Sequence, residues 1–213
     1  LNIALAGTGV GKSLFMCHVA SSCLLQGRNV LYITCEMAEE KIAERIDANL
    51  LDIPIQQLQD PLLTKQKYRA KMDVLKKKTQ GKLVIKEYPT ASAHVGHFKA
   101  LLNELSLKKG FHPEIIFVDY LNICASSRYK GTIVNSYTYV KAIAEELRGL
   151  AGEYNVPILS ATQTTRSGYG NANVEITDTS ESFGLPATAD LMFALISTDC
   201  LLYTSPSPRD FQV

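Results

Sequence analysis

The first thirteen residues, LNIALAGTGVGKS, constrain this chain more than any other stretch. Leu1–Leu5 is an apolar run that reads as a strand and stops abruptly. Gly7, Gly9 and Gly11 then make a turn, Lys12 and Ser13 follow, and an amphipathic helix begins. Strand, glycine-rich turn, Lys-Ser and helix in that order form a phosphate loop, the Walker A arrangement. The chemistry dictates the residue types. Backbone N–H groups must point inward at phosphate oxygens, and glycines allow that path without side chains in the way. The helix N-terminus adds partial positive charge. Ala6, Gly7, Thr8, Gly9, Val10, Gly11, Lys12, Ser13 and Leu14 are therefore the expected nucleotide-binding residues. Lys12 should reach the β- and γ-phosphates, and the Ser13 hydroxyl should coordinate Mg²⁺. The usual pattern is G-x-x-x-x-G-K-S/T, and Ala6 stands where it begins with glycine. Alanine is small, so the stretch reads as a variant of the loop. ATP or another NTP, with Mg²⁺, is the implied cofactor.

Beyond the loop, helical and strand-like patterns alternate. Ser13 to about Gln26 reads as a helix, with Gly27 placed as a C-cap glycine. Val30–Cys35 reads as a buried strand, and Ala38–Leu51 as a helix with Ile42, Ile46 and Leu50 on one face. Thr64–Gln80 is a lysine-rich helix, read as a solvated face or a contact with a subunit or nucleic acid. Leu83–Tyr88 is a third strand, and a helix through Phe98, Leu101, Leu102 and Leu105 closes near Gly110. Ile115–Val118 is a short strand ending in Asp119, and Ser126–Thr138 reads as a polar loop. Tyr139–Tyr154 is a strongly periodic helix, Pro157–Ala161 a strand ending near Gln163, and Leu191–Ile196 a last strand. Thr164–Thr177 reads as a second long polar loop. Strands alternating with helices predict a mostly parallel α/β sheet covered on both faces. Ligands of such sheets sit at the carboxyl ends of the strands.

With 213 residues the chain fits one domain, and a formal net charge of +1 does not by itself mark a nucleic-acid binder. Basic residues that meet DNA must then be local. No apolar run approaches the roughly 18 residues of a membrane span, and no signal peptide is evident. The five cysteines are scattered without a C-x-x-C pair, which suggests reduced thiols in a cytoplasmic setting. His94 and His97 form H-x-x-H without further ligands nearby, and read as a solvated helix start.

Four polar signals fall at the predicted strand ends. They are the phosphate loop, Glu36, Asp119 and Gln163. Asp119 after IIFV fits Walker B, delivering one carboxylate to the Mg²⁺ shell, partly through water. Glu36 is the candidate general base, able to take a proton from an attacking water or orient it. It could instead be an acidic neighbour of a helix N-terminus. Gln163 could sense the γ-phosphate through its amide and pass that state to the following loop.

ITCEMAEEKIAERIDANLLDI, IIFVDYLNIC, NSYTYVKAIAEELRGLA and ESFGLPATAD resemble the replicative DNA helicases of T4-like phages, within the DnaB family. The likeness runs from Leu1 to about Thr198. It implies a RecA-like P-loop NTPase core: a twisted, mostly parallel sheet with helices on both faces. It further implies a homo-hexameric ring that hydrolyses NTP between subunits and draws single-stranded DNA through its centre. By the same resemblance Lys12, Glu36 and Gln163 serve catalysis, and Ser13 and Asp119 hold the metal. The loops Ser126–Thr138 and Thr164–Ser182 would line the channel, with Arg128, Lys130 and Arg166 as phosphate contacts. Primase and a helicase loader would be partners, and the host cytoplasm the location.

The sequence departs from this pattern at its ends. The family's N-terminal domain and linker helix have no counterpart before Leu1, and its Lys-x-Arg arginine finger has none after the last strand. Leu201–Val213 changes character and reads as a non-native or unstructured tail after a core of residues 1–200. Such a finger supplies about 10³–10⁵ in rate. Slow hydrolysis and a weakened ring are the expectations for this chain alone. A RecA-type strand-exchange recombinase and a nucleotide-binding fragment without efficient turnover are the competing readings.

Overall fold

The computed structural model describes residues 1–58, 65–129, 135–163 and 184–196. Its strands are β1 (Asn2–Ala6), β2 (Val30–Thr34), β3 (Leu83–Glu87), β4 (Ile115–Asp119), β5 (Ile158–Gln163) and β6 (Leu191–Leu195). They form one sheet in the order β3-β2-β4-β5-β1-β6, and every pairing is parallel. The helices are α1 (Lys12–Leu25), α2 (Glu39–Leu51), the short α3 (Ile55–Leu58), α4 (Lys65–Lys78), α5 (Val95–Lys109), α6 (Ser136–Tyr154) and the short α7 (Gly184–Thr188).

The strands β1, β2 and β4 read as nearly continuous apolar runs because both faces of the sheet are covered there. Successive side chains point to opposite faces. Thus Val30 and Tyr32 pack with Met16, Cys17 and Ala20 of α1 and Ile42 and Ile46 of α2. Leu31 and Ile33 pack on the other side with Phe98 and Leu102 of α5 and Ile143 and Leu147 of α6. Each such side chain contributes about 1.5–3 kcal/mol on burial. Truncating the fully buried Phe117 to alanine should cost about 3–5 kcal/mol.

Element boundaries differ from the sequence reading by a residue or two, and most at the start of α6. α6 starts at Ser136, so the polar stretch after Ser126 is shorter than expected. The Asn135 side chain caps this helix, its Oδ1 accepting the Tyr137 N–H at 2.6 Å. The cap satisfies an otherwise orphaned donor and starts the helix within a run of polar residues that lacks apolar periodicity.

His94 and His97 do begin a helix. Nδ1 of His94 accepts from the Gly96 N–H at 3.0 Å, and Nδ1 of His97 accepts from the His94 N–H at 3.2 Å. Among the described residues no three His, Cys, Asp or Glu side chains cluster as a metal site. Cys17, Cys23, Cys35 and Cys124 are free thiols. Arg69, Lys71, Lys76 and Lys77 of α4 are exposed, which fits a solvated face and a contact surface alike. No described helix is long and apolar enough to cross a membrane. The tail Leu201–Val213, with Cys200 before it, lies outside the described residues.

Candidate nucleotide site at the carboxyl ends of the strands

Parallel strands put all their carboxyl ends at one edge, and the strand order decides which ones meet there. β5 lies between β1 and β4. The register pairs Ala6 with Gln163, at the mouth of the phosphate loop. Ala6 is fully buried and is the last residue of β1. It needs no positive φ, which explains why alanine serves at that position. The turn itself requires glycine: φ is +81° at Gly9 and +104° at Gly11, a region that side chains disfavour.

α1 starts at this turn without a side-chain cap and without an acidic residue in its first turn. α5 and α6 are capped by His94 and Asn135, and α2 carries Glu39 and Glu40 in its first turn. The N-terminal N–H groups of α1 are thus left for an anion. Nζ of Lys12 donates to the loop carbonyls of Gly7 at 3.2 Å and Ala6 at 3.5 Å. Burial lowers the Lys12 pKa, while the charges of Glu36 and Asp119 raise it. The ammonium therefore lies within electrostatic reach of both carboxylates.

Asp119 closes β4 and is fully buried. Its Oδ2 accepts from the Tyr32 hydroxyl at 2.9 Å. Oδ1 has no hydrogen-bond partner, the one such buried side-chain atom among the described residues. Burial pushes the Asp119 pKa up. Ser13, Tyr32, Arg45 and Lys12 each pull it down, without cancelling the burial. The Ser13 hydroxyl is near enough to lower the Asp119 pKa, and Oδ1 has no hydrogen-bond partner. A buried carboxylate oxygen with no partner, beside a hydroxyl, fits a hard divalent cation, which takes oxygen ligands.

Sequence reasoning does not single out Tyr120, yet this residue links the other groups. Lys12 Nζ lies 5.8 Å from its ring centroid, within cation–π range. Nε2 of Gln163 donates to its hydroxyl at 3.2 Å. Burial and the charges of Glu36 and Asp119 raise its pKa. Glu36 is exposed, in the bend between β2 and α2, with its charge directed on Lys12 and Tyr120. The sequence signal available for Tyr120 is its place directly after Asp119.

Below Tyr120 the chain makes a 3₁₀ turn, Leu121–Ile123, and reaches Ser126. There Glu146 of α6, 8% exposed, receives several donors. Its Oε1 accepts from the Ser126 hydroxyl at 2.7 Å, and Oε2 from the Ser127 N–H at 3.0 Å. The Arg128 N–H also reaches Oε1, at 3.3 Å. Burial pushes the Glu146 pKa up, but these donors outweigh it and hold the carboxyl below its usual range. The Arg128 guanidinium is half exposed and pairs with Glu145 at 2.5 Å. Of the three expected DNA contacts, only Arg128 is described. Lys130 and Arg166 lie outside the described residues, as does the loop Thr164–Ser182.

A family model described as "DnaB-like helicase C terminal domain" matches residues 1–206. The chain belongs to the DnaB-like helicase family. This DnaB-like chain is 49% identical over 200 residues to the DnaB-like replicative helicase of Enterobacteria phage T4, covering 93% of the chain and 42% of that relative. It is 25% identical over 194 residues to the replicative DNA helicase DnaB of Helicobacter pylori strain 26695, covering 89% and 38%. It thus spans less than half the length of these relatives. Two solved structures superpose with a TM-score of 0.75. One, titled as a DnaB-like replicative helicase and its interactions with primase, is 17% identical and covers 98% of this chain and 49% of that one. The other, titled as an ATPase domain, is 18% identical and covers 97% and 72%. The fold of this DnaB-like domain is therefore the RecA-like ATPase fold. Membership in the family sets aside the strand-exchange recombinase.

Proposed function

We propose that this domain is the motor of a replicative DNA helicase, coupling NTP hydrolysis to translocation on single-stranded DNA. The observation that carries the reading is the gathering of Lys12, Ser13, Glu36, Asp119 and Gln163 around one uncapped helix start. In this reading the N–H groups of the loop and of α1 hold the β- and γ-phosphates, and Lys12 moves from its loop carbonyls onto them. Ser13 and Asp119 would hold Mg²⁺, which neutralises phosphate charge when bound. Glu36 orients the attacking water and accepts its proton. Gln163 changes its bond to Tyr120 when the γ-phosphate is present and relays that change along the chain that follows β5.

Single-stranded DNA is the proposed track, with Arg128, Lys130 and Arg166 meeting its phosphates. A homo-hexamer in the host cytoplasm, served by primase and a loader, is the proposed working form. The names of the relatives support helicase and primase association. The test is turnover of Mg²⁺-ATP with and without single-stranded DNA, in the chain and in the intact protein that contains it. DNA-stimulated hydrolysis by the intact protein, lost in Glu36→Gln with ATP binding retained, is the expected result. Nucleotide binding without turnover in the intact protein would leave a binding module and refute the motor.

A further inference from the structure

Tyr32 has no part in the mechanism above. It lies in the middle of β2, fully buried, with its ring stacked on Phe117 at 5.6 Å and 9° between planes. Phenylalanine would pack as well there, so the hydroxyl needs a partner. It has two. It donates to Asp119 Oδ2 at 2.9 Å and accepts from the Cys17 thiol at 3.8 Å.

The register explains the meeting. Tyr32 is opposite Phe117 and Thr34 is opposite Asp119, so Tyr32 and Asp119 are diagonal neighbours on one sheet face. α1 covers that face and carries Ser13 and Cys17 four residues apart, on one side of the helix. One helix side therefore brings a hydroxyl to the carboxylate and a thiol to the phenol. Oδ2 is occupied from within the core, and Oδ1 is the oxygen left over.

We propose that Tyr32 is a positioning residue for the metal-binding carboxylate: its hydroxyl fixes the rotation of the Asp119 carboxyl group, so that Oδ1 is the oxygen offered to the divalent cation beside Ser13. The terminal torsion of an aspartate is broad and two-fold, so a free carboxylate would present either oxygen over a range of angles. Groups that orient a metal's ligands typically affect metal affinity about 10–100-fold. The inference rests on Asp119 and Ser13 being the Mg²⁺ pair.

Tyr32→Phe keeps the ring and its stacking and deletes only the donor. Mn²⁺ binding to the protein–ADP complex, followed by electron paramagnetic resonance, is the readout for wild type, Tyr32→Phe, Asp119→Asn and the double variant. Tyr32→Phe should weaken Mn²⁺ binding about tenfold. ADP affinity in excess chelator should stay within about twofold of wild type. In the Asp119→Asn background, Tyr32→Phe should have no further effect on Mn²⁺. Wild-type Mn²⁺ affinity in Tyr32→Phe, with Asp119→Asn impaired, overturns the positioning role alone. So does an equal loss of Mn²⁺ binding on adding Tyr32→Phe to either background, which marks general damage. Unimpaired Mn²⁺ binding in Asp119→Asn overturns the metal assignment and this inference with it.

Discussion

Asp119 and Glu146 are both acids removed from water, 0% and 8% exposed, and the fold treats them in opposite ways. Glu146 takes donors on both oxygens from Ser126, Ser127 and Arg128, and its pKa falls. Asp119 receives the Tyr32 hydroxyl on one oxygen, keeps the other bare, and its pKa rises. A saturated buried carboxylate is a structural fastening. It ties the chain that leaves β4 to α6. A buried carboxylate with an oxygen to spare is costly to the apo fold, and a cation bound there would offset that cost. Burial alone therefore does not mark a functional acid, whereas an unfilled hydrogen-bonding position does.

The largest effect should come from Lys12→Ala, which removes the cation proposed to meet the phosphates. Hydrolysis should fall by about 10²–10³ or more. A steady-state phosphate-release assay measures this, and wild-type turnover would remove the nucleotide site from this edge of the sheet.

Asp119→Asn sharpens the contrast. It should cost at least the roughly 10–100-fold in metal affinity or turnover that loss of an outer-shell partner costs. Its thermal midpoint should equal or exceed that of wild type without metal, because a poorly solvated charge is removed. A clear drop in midpoint would mean that Asp119 is as structural as Glu146.

Glu146→Ala should show the reverse pattern. It strands buried donors, at about 2 kcal/mol, which for a chain of this size lowers the midpoint about 4–8 °C. Hydrolysis without DNA should be nearly unchanged. The pH dependence follows from the lowered pKa. Wild type should be more stable than Glu146→Gln at neutral pH, and that advantage should shrink as pH falls through the folded-state pKa. A difference that grows on acidification would contradict the bonding described.

Arg128→Gln should have the smallest effect on stability, since its pair with Glu145 is half exposed. If Arg128 exchanges Glu145 for a DNA phosphate, the salt slope of single-strand binding should drop by about 0.7. An unaltered slope would take Arg128 out of the DNA interface.

The sheet and the polar tips of β1, β4 and β5 are legible in the sequence because buried parallel strands are apolar until they end. Glu36 and Asp119 stand out as the first charged residues after such runs, and Gln163 as the polar residue that ends ILSATQ. Tyr32 is hidden for the same reason: in VLYITC an aromatic residue reads as core, and only the register shows its hydroxyl under Asp119. Glu146 is hidden differently. Within a periodic helix, Glu145 and Glu146 look alike, yet one pairs at the surface and the other reaches back to the Ser126 turn. The start of α6 escapes a reading by pattern because a single side-chain cap, Asn135, begins the helix before any apolar periodicity appears.

The bare start of α1 makes the ligand a piece of the domain's own architecture. With glycine at its N-cap, α1 gives up a few tenths of a kcal/mol against a bonding side chain, and phosphate oxygens can take the place that Asn135 fills in α6. Occupancy and thermal resistance are then coupled: at a hundred times its dissociation constant a nucleotide adds about 2.7 kcal/mol to the folded state. Melting temperature becomes a gauge of loading, and in the proposed motor the site emptied between strokes would be the softest form of the domain.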